Sequence, residues 1–247
     1  MSRWIVPDWP APDNIAALTT TRIGGVSSAP FNSFNVAAHV DDDLQTVETN
    51  RQWLLDHCEG LEQIQWLNQI HSNRVANAGQ ECCPDADACF TAQPAIACAV
   101  MTADCLPLII CDKQGEEIAA AHAGWRGLAG GVIDNTVAQF TAEKSDLLVW
   151  LGPAISQVNF EVGAEVRQQF LEAFGVQAQQ AFKANRYRDG HYFADLYQLA
   201  RIRLKALGIS HIYGGDFCSY DDSEQFYSYR RDGQTGRMVT LIYKTAE

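Results

Sequence analysis

The chain has 247 residues, and 18 Lys and Arg against 30 Asp and Glu leave a formal net charge of −12. Its 47% apolar and 19% charged residues make a globular composition, which excludes disorder and fibres. So acidic a chain is a poor match for a nucleic-acid polymer, where affinity rests on Lys and Arg neutralising phosphates, but a local basic pocket for one small anion stays open.

In chain order, the opening segment MSRWIVPDWPAPDN lacks the apolar stretch of a secretory signal, so the cytoplasm is the expected compartment. No run of about 18 apolar residues follows, so no membrane span is expected. Ile15–Thr20 reads as a strand, and Gly24–Asn35 (GGVSSAPFNSFN) as a loop rich in turn formers. His39 reads as a solvated loop histidine. The run Asp41–Asp43 precedes a helix candidate, Leu44–His57, and suits N-terminal capping better than metal binding. Ile64–Leu67 reads as a strand, with His71 just beyond it in LNQIHSNRV. The polar neighbours Asn68, Gln69, Ser72, Asn73 and Arg74 favour an accessible imidazole, although a solvated loop histidine would look the same from this segment. Gln80–Asp87 (QECCPDAD) reads as a second loop.

Ala95–Met101 and Leu106–Cys111 read as buried strands, interrupted by Thr102, Asp104 and Pro107. A strand that breaks and resumes in this way suggests a bulge or sharp bend that re-aims Cys105. A buried structural thiol with Asp104 capping a turn explains the same residues equally well. Ile118–Ala121 runs straight into His122, and Gly124, Gly127, Gly130 and Gly131 then lead towards a helix over Ala129–Thr141. A strand, a glycine-rich turn and a helix start can offer free backbone N–H groups to an anion, and Arg126 adds a positive charge. Neither a P-loop nor G-x-G-x-x-G is present. Leu147–Leu151 reads as a strand, and Gly163–Phe174 and Asp195–Leu207 as helices, with Gly208 a C-terminal stop. His211–Tyr213, Phe226–Tyr229 and Met238–Tyr243 read as late strands. No repeat or long linker divides the chain, so one domain spanning residues 1–247 is expected. Interleaved strands and helices place it in the α/β (α+β) class with mixed sheets.

The eight cysteines contain no C-x-x-C pair, and a chain long enough to bury a core in a reducing compartment needs no disulfides. Most read as small buried hydrophobes. The exception is Cys105, which shares with His71 and His122 a place at a strand edge. One thiol and two imidazoles suit either a zinc site with an open fourth position or a cysteine nucleophile with a histidine base. The metal uses both histidines, whereas the nucleophile leaves one over.

Six segments then carry a resemblance. TTTRIGGVSSAPFNSFNVAAHVDDD, LNQIHSNRV, TADCLPLII, AHAGWRGLAGG, LGPAIS and FYSYRRDGQTGRM, running in this order from about Thr19 to Tyr243, resemble the YfiH family, also described as multicopper polyphenol oxidoreductases or laccases and as purine nucleoside phosphorylases. FADLYQLA departs from the pattern, with Tyr197 where the family more often has Asn. The resemblance implies a layered α/β/β/α fold with mixed sheets, like that of some bacterial toxin deamidases. It implies a metal site at His71, Cys105 and His122, usually zinc, and these residues as the catalytic set. It also implies phosphorolysis of adenosine, inosine and S-methyl-5′-thioadenosine, with deamination of adenosine. The expected partners are a purine nucleoside and phosphate. Arg126 with its glycine turn, or Arg22 with Gly24 and Gly25, could hold the phosphate, and Asn35 and Gln69 could orient the ligand. Only two of the six histidines have a site-like setting, too few for a multicopper laccase, although one thiolate and two imidazoles could hold a single copper for weak polyphenol oxidation. The other reading is a cysteine amidohydrolase acting on a cell-wall precursor in peptidoglycan editing, with Cys105 as nucleophile and His122 or His71 as base.

Overall fold

The computed structural model describes residues 3–245. Strands β1 (Trp4–Ile5) and β2 (Ile15–Thr20) come first, and helix α1 (Leu44–Asp56) follows a long loop. Asp43 caps α1 by accepting the Thr46 amide at 2.8 Å, which is the capping role expected of the acidic run. Three short strands, β3 (Gln63–Gln65), β4 (Val75–Asn77) and β5 (Ala88–Thr91), lead into the long strands β6 (Ile96–Thr102), β7 (Leu106–Asp112) and β8 (Ile118–Ala123). Next come α2 (Trp125–Ala129), α3 (Val132–Val137), β9 (Leu147–Leu151), β10 (Glu161–Gly163), α4 (Ala164–Phe174), β11 (Phe182–Ala184), β12 (His191–Ala194) and α5 (Leu196–Ala206). β13 (His211–Gly214), α6 (Tyr229–Asp232) and β14 (Met238–Lys244) complete the order.

The strands form two large sheets, β1-β2-β14-β6-β3 and β13-β9-β7-β8-β5-β4, and a small one, β10-β12-β11. Both large sheets are mixed, because β3–β6, β4–β5 and β13–β9 pair in parallel and their other neighbours antiparallel. The two-residue alternation of each strand builds the layers. On β7, Leu106, Leu108 and Ile110 face α2, α3, α4 and α5, while Ile109 and Cys111 face the other sheet. On β6, Ala97, Ala99 and Met101 face α1 and its preceding loop, while Cys98 and Val100 meet the second sheet. The result is the expected α/β/β/α stack. β7 and β8 are buried on both faces, which is why they read as unbroken apolar runs. Each such Leu or Ile contributes about 1.5–3 kcal/mol relative to exposure.

Two expected elements differ. The helix over Ala129–Thr141 is instead α2 and α3, separated at Gly130 and Gly131, with Gly131 at φ +90° where an α-helix cannot continue. Phe226–Tyr229 is not a strand. Phe226 and Tyr227 are buried, as a strand would require, but the chain pairs with no neighbour there and turns into α6, whose first turn Ser228 caps by accepting the Arg231 amide. No helix among the described residues is long and apolar enough to cross a membrane.

Candidate metal centre

The ends of the two central sheets place three side chains around one point. Cys105 sits in the tight connection from β6 to β7. Asp104 just before it has φ +92°, and its carboxylate accepts the Ser219 hydroxyl and the Arg230 amide, each at 2.7 Å. Its carbonyl accepts the Ile155 amide at 2.9 Å. These bonds hold a left-handed turn that an Asp tolerates better than most residues, and they leave Asp104 an anchor for the bend.

His122 is on β8 and His71 in the loop after β3. A single buried carboxylate, Asp87, fixes both. Its Oδ1 lies 2.8 Å from His122 Nδ1 and accepts the His71 amide at 3.0 Å, while Oδ2 accepts the Ser72 amide at 2.5 Å and hydroxyl at 2.8 Å. The Asp87 carbonyl accepts the His122 amide at 2.7 Å. His71 adopts φ +58°, a conformation these bonds stabilise. With Nδ1 turned to Asp87, His122 presents Nε2 to the site, the orientation that carboxylates behind ligand histidines typically impose.

One ligand atom from each of His71, Cys105 and His122 falls within 4.8 Å of the others. Gly124 marks their meeting point. A Cβ on Gly124 would lie 3.0 Å from Cys105 Sγ, 3.0 Å from His71 Nδ1 and 3.4 Å from His122 Nε2. Two imidazole nitrogens and one thiolate are a donor set that zinc accepts with a fourth position left open, so the cluster could bind a metal ion.

Without a metal, the local charges pull the two histidines in opposite directions. Burial pulls His122 down, but the Cys105 sulfur and the Asp87 carboxylate outweigh it and hold the imidazolium up at about 9. Burial would raise Asp87, yet its bonds from His122 and Ser72 leave it below the usual carboxylate range. Burial, then the charge of His122, lowers His71 and favours the neutral imidazole that ligates a metal.

The three side chains open onto a cleft of about 410 Å³, whose walls also include Gln69, Met101, Thr102, His39, Tyr229 and Arg237. Gln69 thus reaches the site, but both ends of its amide are bonded to the Met101 backbone, at 2.8 and 2.7 Å, so it pins the end of β6. Arg126 is exposed, with its guanidinium 4.3 Å over the Trp125 ring, and does not line the cleft. The glycine after it serves close packing, since a Cβ on Gly127 would lie 2.8 Å from the Ser72 carbonyl oxygen. Arg22 lies in a separate hollow with Ser223 and Arg231, and donates from Nε to Asn32 and from Nη1 to Ser223. Asn35 is fully buried and bonded to Ala37, Asp42 and the Arg237 amide. The structure therefore brings His71, Cys105, His122 and Gln69 together and leaves Arg22, Asn35 and Arg126 outside. Asp87, His39, Tyr229 and Arg237 are the site residues that sequence reasoning missed. Arg237 and Tyr229 lay inside FYSYRRDGQTGRM and His39 inside TTTRIGGVSSAPFNSFNVAAHVDDD, motifs already singled out, which were the available signals.

Residues 16–245 match the family described as multi-copper polyphenol oxidoreductase laccase. The chain is 49% identical over 243 residues to a purine nucleoside phosphorylase of Pseudomonas aeruginosa, covering 98% of this chain and 99% of the relative. It is 46% identical over 245 residues to purine nucleoside phosphorylase YfiH of Escherichia coli, with 98% and 99% covered. Among solved structures, a DUF152-family protein of Neisseria meningitidis superposes with a TM-score of 0.95 at 45% identity, covering 99% of this chain and 100% of that one. YlmD of Geobacillus stearothermophilus superposes with a TM-score of 0.90 at 28% identity, with 99% and 97% covered.

Proposed function

The chain belongs to the multi-copper polyphenol oxidoreductase laccase family, the YfiH group, and on that footing we propose that it is a zinc-dependent purine nucleoside phosphorylase. The substrates would be adenosine, inosine and S-methyl-5′-thioadenosine, with deamination of adenosine at the same site. The names of the close relatives support phosphorolysis. The observation that carries the reading is the convergence of His71, Cys105 and His122 on the bare α-carbon of Gly124 at one end of the cleft. A cleft of about 410 Å³ falls in the range of small-molecule sites.

In phosphorolysis an oxygen of phosphate attacks C1′ of the ribose, and the bond from C1′ to the purine nitrogen breaks. Its electron pair stays on that nitrogen, which takes the proton given up by phosphate, leaving free base and ribose 1-phosphate. His71, Cys105 and His122 would hold the zinc, which when bound supplies a Lewis acid able to polarise oxygen ligands. Asp87 keeps the His122 tautomer and the His71 loop fixed while this happens. Met101 and Ala103 supply apolar wall for the nucleoside, and Gln69 holds Met101 in place.

Among the described residues there is one such ligand cluster, so a mechanism needing several copper centres lacks ligands for the others. A second reading has a specific observation in its favour. Cys105, His122 and Asp87 follow one another as nucleophile, base and orienting carboxylate do in cysteine hydrolases. On that reading His71 has no task.

Pure, zinc-loaded protein incubated with adenosine and phosphate is expected to release adenine and ribose 1-phosphate, read by chromatography, with about one zinc per chain by elemental analysis. Absence of product where a control phosphorylase works would overturn the proposal. Full amide-hydrolysing activity in chelated, metal-free protein would favour the cysteine hydrolase.

A further inference from the structure

Arg237 is placed unlike any arginine predicted from the sequence. It is half-buried in the cleft wall, yet no carboxylate of the described residues lies within ion-pair distance, in a chain with 30 acidic residues to choose from. The Cys105 sulfur and then Asp104 are near enough to be felt, but neither is bonded to the guanidinium, and the Asp104 oxygens are taken by Ser219 and the Arg230 amide. A half-buried arginine with no carboxylate bonded to it keeps its positive charge available to an anionic ligand.

The guanidinium is also held in advance. Nη1 donates to the Thr235 and Gly236 carbonyls at 2.9 and 3.0 Å, and the backbone amide donates to buried Asn35 at 3.0 Å. Nε and Nη2 have no partner among the described residues, which leaves two donors free. His39 faces the same space. Burial, then the charge of Arg237, lowers its pKa, so it faces the cleft as a neutral imidazole beside the guanidinium, and Asp41 lies further along the second hollow. A second hollow of about 390 Å³ adjoins the first and shares His39, Tyr229 and Arg237 with it. A reaction of two substrates needs two adjoining places, and Arg237 stands between them.

We infer that Arg237, flanked by His39, is the subsite for the inorganic phosphate that attacks the nucleoside. This rests on the phosphorolysis reading above. The free Nε and Nη2 of Arg237 suit two oxygens of one phosphate, a fork that Lys cannot reproduce. A third oxygen is then left to face the part of the cleft lined by His71, Cys105 and His122.

The test is phosphate dependence in the zinc-loaded protein. Arg237→Gln is expected to raise KM for phosphate about 10- to 100-fold. KM for adenosine and the zinc content should change far less, and Arg237→Lys should recover part of the loss. Arg186→Gln, exposed and lining neither hollow, is the control and should leave phosphate KM unaltered. Calorimetric titration with inorganic phosphate supplies a readout that needs no turnover, with binding to the wild type and markedly weaker binding to Arg237→Gln. Phosphorolysis with an unchanged phosphate KM in Arg237→Gln overturns the subsite and leaves the phosphorylase reading standing. Phosphate binding that depends on Arg237 in a protein without phosphorolysis keeps the subsite and removes that reading. Should Arg237→Gln fail to fold by circular dichroism, Arg237→Lys carries the test, and equal phosphate affinity in it and the wild type overturns the proposal.

Discussion

Gly124 is the smallest residue in the site and the one with most control over it. Its φ of −58° is open to any L residue, so its glycine character is a matter of space. Gly124→Ala would put a methyl 3.0 Å from Cys105 Sγ and from His71 Nδ1, in the volume a metal would take. The expected result is loss of the bound metal and of turnover, with the thermal midpoint of the metal-free protein nearly unchanged. Metal analysis and thermal unfolding on the same sample check it, and a variant that keeps one metal per chain would refute the placement. Asp87 acts on the same atoms from behind. Asp87→Asn keeps the shape but turns an amide N–H₂ towards donors that met an acceptor in the wild type, since the carboxylate receives bonds from His71, Ser72 and His122. Zinc affinity is expected to fall about 10- to 100-fold, read by chelator competition. A drop in stability of about 1–3 kcal/mol should accompany it, because buried donors lose their acceptor.

The elements that carry the site were the easiest to read. β6, β7 and β8 are buried on both faces and so stand out as apolar runs, and Cys105 and His122 stand out where polar residues, proline or glycine end those runs. What stayed hidden is held through space. Asp87 lies 16 residues from His71 and 35 from His122; the pairing of β5 with β8 brings it to His122, and the pairing of β4 with β5 brings it to His71. Arg237 comes from just before β14, which lies in the other large sheet, and no local pattern connects it to Cys105. The small sheet β10-β12-β11 escaped notice because EVG, FKA and HYFA are short and only partly buried. The split between α2 and α3 has a local cause, Gly131 at φ +90°, which can be tested. A Cβ there would meet Asp134 no closer than 3.7 Å, so Gly131→Ala adds backbone strain without a clash. It is expected to destabilise the fold by about 1–2 kcal/mol and to lower Tm by about 2–8 °C with metal content intact. A raised Tm would mean that the helices run on through Gly131.

Across the molecule, the eight cysteines report on both the layers and the metal. Cys89, Cys98 and Cys111 lie in the seam where the two large sheets meet, and Cys58 lies under α1. Small side chains there let the sheets approach, and burial makes their thiols inert. It pushes Cys58 up to about 11 and Cys111 up to about 12, and raises Cys98 well above its ordinary value, so these three are not thiolates near neutral pH. Cys82 and Cys83 are exposed in the loop before β5, and Cys105 and Cys218 are half-buried. Labelling with a thiol reagent at neutral pH should therefore reach four cysteines in the native, metal-free protein, Cys82 and Cys83 fastest, and all eight in denaturant. Zinc should withdraw Cys105 alone, because Cys218 sits against Ser156 and Asn159, away from the ligand cluster. Mass spectrometry of the labelled peptides distinguishes the outcomes. Rapid labelling of Cys98 or Cys111 in the native protein would contradict the packing of sheet on sheet. Labelling of Cys105 unaffected by saturating zinc would place the metal elsewhere and return Cys105 to the role of a free nucleophile.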